Sequence, residues 1–208
     1  MGTSVKSLVG FDSFFKMLRN IDKASFTPED FEDAVEHQLS SPSQLVLDED
    51  TMVLITEILR KTCNLMDVQR ISSICESFQR IKVGSMVIAS HSYRRCSPYA
   101  KIIARFEKED GHEFRPGIIQ KIIKEKAINQ KFHFLLEMQW YSQHAKKHFF
   151  GVNAKVEVWN APSSEMSNPY IPARFVRARF VEVKDDIKLG RFMDRVSIII
   201  PVPIKSLL

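Results

Sequence analysis

The spacing of apolar positions along the chain changes once, near Gly84. Before that point the apolar residues recur at helical intervals. Val5, Leu8, Val9, Phe15, Leu18 and Ile21 fall near a 3.6-residue period and predict a first amphipathic helix. "SFTPEDF" (25–31) carries the marks of a second helix start. Thr27 can cap, Pro28 suits the first helical position, and Glu29 and Asp30 favour the positive end of the dipole. Phe26 and Phe31 stand where a hydrophobic staple forms. "SSPS" (40–43) interrupts the pattern. "DEDT" (48–51) then opens a third helix carrying Leu54, Ile55, Ile58 and Leu59, and Val68, Ile71, Ile74, Cys75 and Phe78 predict a fourth.

After Gly84 the period falls to two. "SMVIAS", "YAKIIARFE", "GIIQKIIK", "HFLLEMQW", "KVEVW", "RARFVEV" and "RVSIIIPVP" read as seven short strands with turn signals between them. Ile102, Ala104 and Phe106 alternate on one face, as do Leu136, Met138 and Trp140, while Val156 and Val158 form a further pair, so these eight are the predicted core. The fold class that follows is α+β: a helical segment over 1–80, then an antiparallel β-barrel or sandwich domain over 81–208.

The same parity rule addresses "HFLLEMQWYSQHAKKHFFGVNAKVEVWN" (133–160). Tyr141 shares a face with Glu137 and Gln139, opposite Trp140. Trp159 shares a face with Lys155 and Glu157, opposite Val158. An outward Tyr141 and Trp159 on neighbouring strands would make an aromatic ledge able to hold a methylated lysine or stack on a base. The alternative is that Trp159 covers the end of the barrel.

With 44% apolar residues the chain can build a core, and no apolar run approaches the roughly 20 residues of a membrane span. Charge is uneven. Residues 1–80 carry 8 Lys and Arg against 13 Asp and Glu, and residues 81–208 carry 22 against 12, which together give the formal +5. A basic second module suggests an anionic partner, and the acidic helical segment suggests recruitment of another protein. Three cysteines, Cys63, Cys75 and Cys96, with no CxxC pair point to a reducing compartment rather than a disulfide framework.

The patterns that carry catalysis are missing from the sequence. GxSxG, GxxxxGK, GxGxxG and HExxH do not occur. His144 and His148 are four apart, and His133 and Cys96 are further candidate ligands, but no pair shows a recognised metal spacing. No metal, no cofactor and no enzymatic activity are therefore expected. The more informative feature is "ARFVRARFVEV" (173–183), which places Arg177 and Arg179 on one face and Phe180 with Val176 and Ala178 on the other. Arg174 precedes them, and Arg191 and Arg195 open the next strand. Pairing of these strands is expected to bring several guanidiniums together as an anion-binding face. A solvated face neutralised by Glu182, Asp185, Asp186 and Asp194 remains the alternative.

The order of elements after residue 80 resembles a bromo-adjacent homology (BAH) domain. "KVGSMVIAS" resembles its opening strand, "YAKIIARFE" the next, "FLLEMQWY" the strand that ends in Trp, "KVEVWN" the acidic strand and "PYIPARFVRARFVEV" the close. The likeness is strongest to the BAH-like C-terminal region of uncharacterised transposable-element-like proteins of invertebrates and fungi. It is carried by "SYRRCSPYAKIIARF", "RPGIIQKIIKE", "MQWYSQHAKKHFFGVNAKVEVW", "YIPARFVRARFV" and "DRVSIIIPVP". The resemblance implies a nuclear, non-enzymatic chromatin-binding module whose partner is DNA or a nucleosome or histone. It equally admits an accessory DNA-holding domain of a transposon-derived enzyme, or a structural adaptor.

Overall fold

We describe the fold from a computed structural model over residues 36–63, 71–93, 98–108, 110–126, 132–151, 156–163, 169–189 and 192–202. The chain divides by backbone contacts into residues 1–33 and residues 34–208. The two helices expected before residue 36, Cys96 and Arg191 lie outside the described residues.

The architecture is α+β and mostly antiparallel sheet. In chain order the elements are β1 (Glu36–Gln38), β2 (Ser43–Val46), α1 (Glu49–Cys63), β3 (Ile74–Phe78), β4 (Arg80–Val83), β5 (Met86–Ala89), β6 (Lys101–Lys108), β7 (Gly111–Lys126), β8 (Phe132–Gln143), β9 (Glu157–Ser163), β10 (Tyr170–Pro172), β11 (Val176–Leu189) and β12 (Phe192–Val202). The helix begins where the sequence places it. The Asp48 carboxylate accepts the Thr51 N–H at 2.8 Å and the Thr51 hydroxyl at 3.0 Å, and Glu49 and Asp50 occupy the first turn. These groups satisfy orphan amides and suit the helix dipole.

The expected fourth helix is a strand. Residues 74–78 form β3, which pairs with β2 and with β7. Positions 71, 74, 75 and 78 fit a helical stripe, yet Cys75 packs beneath α1 while Phe78 enters the main core. A strand buried on both faces loses the period of two that marks a strand. Strands β1, β2 and β3 all come from the segment expected to be helical, and β3 joins the same sheet as β6 to β12.

Six strands pair in a closed order. β6 pairs with β7, β7 with β8, β8 with β9, β9 with β12, β12 with β11, and β11 again with β6. Each of the six gives one side chain to a common apolar cluster: Ile103, Ile118, Tyr141, Trp159, Phe180 and Ile199. A second and larger cluster lies on the other face of β6, β7 and β8, where the small β1–β4–β5 sheet supplies Ile81, Val83, Met86 and Ile88. A third forms beneath α1, where Ile55 and Leu59 are fully buried against Cys75, Ile123 and Leu135. Full burial of each such side chain stabilises the fold by about 1.5–3 kcal/mol. All eight residues of the predicted core are buried.

Two local features set the register. Gly117 pairs with Ile102 on one side and Trp140 on the other, and a Cβ there would lie 2.6 Å from Met138 Cε and 2.9 Å from Trp140 Cε3. Only glycine lets the Trp140 ring lie across β7. A bulge in β11 between Val176 and Ala178 shifts the alternation, so Val176 faces the larger cluster while Phe180 faces the cluster enclosed by the six strands.

Candidate functional site

Strand β8 presents both faces to packed side chains, which corrects the expected aromatic ledge. Tyr141 and Trp159 do share a face opposite Trp140, but both are 0% exposed. The parity reading identified the correct face and assigned it to solvent. The closed order of pairings encloses that face instead. Tyr141 meets Phe180 edge to face at 5.6 Å, and the Trp159 indole N–H donates to Glu157 Oε2 at 2.9 Å.

A charged group is buried beside this cluster. The Glu182 carboxylate, 5% exposed, accepts from Lys101 Nζ at 2.7 Å and from the Ser197 hydroxyl at 2.6 Å. Burial pushes the Glu182 carboxyl up, but the hydrogen bonds from Lys101 and Ser197 outweigh it and hold the group below its ordinary range. Burial and then the charge of Glu182 push the Tyr141 hydroxyl far above its ordinary range. Register accounts for the meeting. Glu182 follows Phe180 by two on β11, and Ser197 precedes Ile199 by two on β12, so both face the enclosed side. With its lone pairs engaged by an ammonium and a hydroxyl, this carboxylate is a structural anchor.

The outer chemistry lies where β6 meets the start of β11. Val176 pairs with Ala104, which brings Arg105 beside the short 3-10 turn at Ala173–Phe175. The guanidiniums of Arg105 and Arg174 lie 5.1 and 5.6 Å from the centre of the Phe175 ring. Arg177, on the bulge, stands 5.5 Å from the Phe114 ring, and Arg179 stands 5.0 Å from the Tyr99 ring. Phe114 and Tyr99 are both exposed. Burial, and then the charge of Arg105, lower the proton affinity of Arg177. Two like charges are thus held close on one surface, with Arg105 also bonded to Glu107 at 2.6 Å.

The structure divides the five arginines expected to cluster. Arg174 and Arg177 lie beside Arg105 here, but the bulge separates the expected Arg177 and Arg179 pair: Arg179 pairs with Ile102 and so takes the opposite face of the sheet, over Tyr99. Arg195 does not join them, because the β11–β12 hairpin pairs Arg195 with Asp186 and Arg179 with Val202. The seven steps along the strand from Arg195 to Val202 span about 23 Å. The Arg195 side chain is exposed and lies 3.7 Å from Asp186. In a hairpin, residues equidistant from the turn meet, so arginines at 177 and 195 around a turn near 190 cannot be neighbours. Arg105 was missed because its part depends on the β6–β11 register, which its own strand pattern does not encode. Comparison with protein families, curated proteins and solved structures finds no match.

Proposed function

We propose that this protein is a non-enzymatic binding module of the nucleus, a BAH-like β-barrel that grips the phosphate backbone of DNA, free or on a nucleosome. The observation that carries the reading is the set of three guanidiniums, Arg105, Arg174 and Arg177, placed over the rings of Phe175 and Phe114 where β6 meets the start of β11. The closed order of six strand pairings supports the barrel, and the formal charge of +5 supports an anionic partner. The order of the BAH-like motifs supports a chromatin setting.

Phosphate contacts of this kind are independent of sequence and release counterions. The test is duplex DNA affinity over a salt series for wild type and for Arg105→Ala with Arg177→Ala. Two lost contacts lower the magnitude of the salt slope by about 1.8 and weaken all sequences alike. An unchanged slope, or no duplex binding by wild type at low salt, removes DNA from the reading. Strong preference for one sequence moves the assignment to an accessory DNA-holding domain of a transposon-derived enzyme.

A further inference from the structure

The turn joining β8 to β9 takes no part in the basic face, yet it is built with care. His144, 4% exposed, places Nε2 3.1 Å from Asp194 Oδ2, and its Nδ1 accepts the Lys146 N–H at 3.1 Å. A ring nitrogen that accepts from a backbone amide carries no proton, so Nε2–H donates to Asp194 and the tautomer is fixed. Lys147 is turned inward, with its ammonium 3.2 Å from Glu157 and 4.7 Å from the centre of the Trp159 ring. Its carbonyl accepts the Val158 N–H at 2.9 Å. The N–H groups of Lys147, Phe149 and Gly151 donate to the carbonyls of His144, Lys146 and His148. Gly151, at φ +106, closes the winding in a conformation that side chains rarely adopt.

This anchoring leaves Lys146, His148 and Phe149 exposed together. Phe149 is 46% exposed and stands edge-on to Phe150, with ring centres 5.3 Å apart and planes at 87°. We propose that the turn at 145–150 is a stacking platform for an unpaired base of single-stranded nucleic acid. Phe149 supplies the ring, Lys146 meets the adjoining phosphate and His148 donates to the sugar or base edge. The proposal rests on the nucleic-acid reading and extends it from duplex backbone to strand opening or capture. A single half-exposed ring, three positions from an exposed lysine in the same turn, suits one base. It is small for insertion into lipid, which needs a wider apolar face.

The experiment measures binding of the full chain to oligo(dT), to duplex DNA and to anionic phosphatidylserine vesicles. The variants are Phe149→Ala, Phe149→Trp and Lys146→Ala. Loss of one stacked base weakens oligo(dT) binding by Phe149→Ala about five-fold or more, since a stack is worth at least about 1 kcal/mol. Duplex affinity, held by the arginine face, stays within two-fold, roughly the measurement's resolution. Phe149→Trp retains oligo(dT) affinity, and its exposed indole is quenched on binding. Lys146→Ala lowers the oligo(dT) salt slope by about 0.7, the single-strand value for one phosphate. Equal oligo(dT) affinity of wild type and Phe149→Ala, with normal duplex binding, overturns the platform and leaves the module reading intact. Binding to neither nucleic acid overturns both. Vesicle binding that depends on Phe149, without oligo(dT) binding, replaces the platform with a membrane contact.

Discussion

Replacing Lys101 by Met should destabilise the protein more than replacing its partner, Glu182, by Gln. The two side chains meet at 2.7 Å, but they are unequally buried, at 27% and 5% exposed. Removing the lysine leaves a carboxylate out of water without its cation, while the Ser197 hydroxyl still donates to it. Breaking a buried pair on that side costs about 3 kcal/mol, the low end for such losses because Ser197 stays. Removing the charge of Glu182 instead leaves an ammonium on a flexible four-carbon stem near the surface, which reaches water at a cost of about 1–2 kcal/mol. The sign of the pH dependence follows from the same geometry. In the wild type the folded Glu182 carboxyl lies below its unfolded value of about 4.3. Its contribution is therefore present above that pH and lost as pH falls through the folded value. Without Lys101, burial dominates and the folded value rises above 4.3, so stability is lost as pH rises between the two. The penalty of Lys101→Met should thus be near 3 kcal/mol at pH 7 and smaller at pH 3, shrinking as the carboxyl takes up its proton. Urea unfolding at both pH values, with m-values compared, measures it. A penalty independent of pH, or a larger loss for Glu182→Gln, would refute the reasoning.

Gly117→Ala should cost about 1–3 kcal/mol by urea midpoint, because the new methyl meets Met138 and Trp140 inside contact distance. A neutral result would show that these side chains can move aside. Trp140→Ala should cost about 3–5 kcal/mol, the ring being 1% exposed and in edge-to-face contact with Phe106 at 5.2 Å. The Cys75 thiol, pushed up to about 11 by burial and then by Glu125, should resist an aromatic disulfide reagent at pH 8 in a background lacking Cys63 and Cys96. Rapid modification of the native protein would place it at the surface.

Sequence pattern served well where one face of a strand is wholly apolar. The alternation of Ile102, Ala104 and Phe106, and of Leu136, Met138 and Trp140, located two strands and their inward face without further help. It failed where both faces are buried. Tyr141 and Trp159 sit among Glu137, Gln139, Glu157 and Lys155 in sequence, so they read as outward, yet Glu137 and Glu157 are themselves drawn into ion pairs with Lys121 and Lys147, and both aromatic rings are enclosed. It failed again at 71–78, where two different cores claim Cys75 and Phe78. The arginine face was half legible. The bulge at 176–178 and the meeting of Arg105 with Phe175 depend on long-range register, which local spacing cannot carry.

The order in which the six strands pair also governs how the chain must fold. β6, β7 and β8 are successive hairpin partners and can form as soon as they are made. β12 is the piece that joins β9 to β11, so until it docks, two strand edges stand open at once. Pairings that wait on distant segments are slow, and open edges invite pairing with other chains. The charges along this stretch then acquire a purpose separate from any ligand. Lys184, Asp185 and Asp186 are exposed on β11, and charge on an unpaired edge discourages intermolecular sheet growth. Neutralising all three should leave the finished fold nearly as stable while lowering the yield of refolding at high protein concentration.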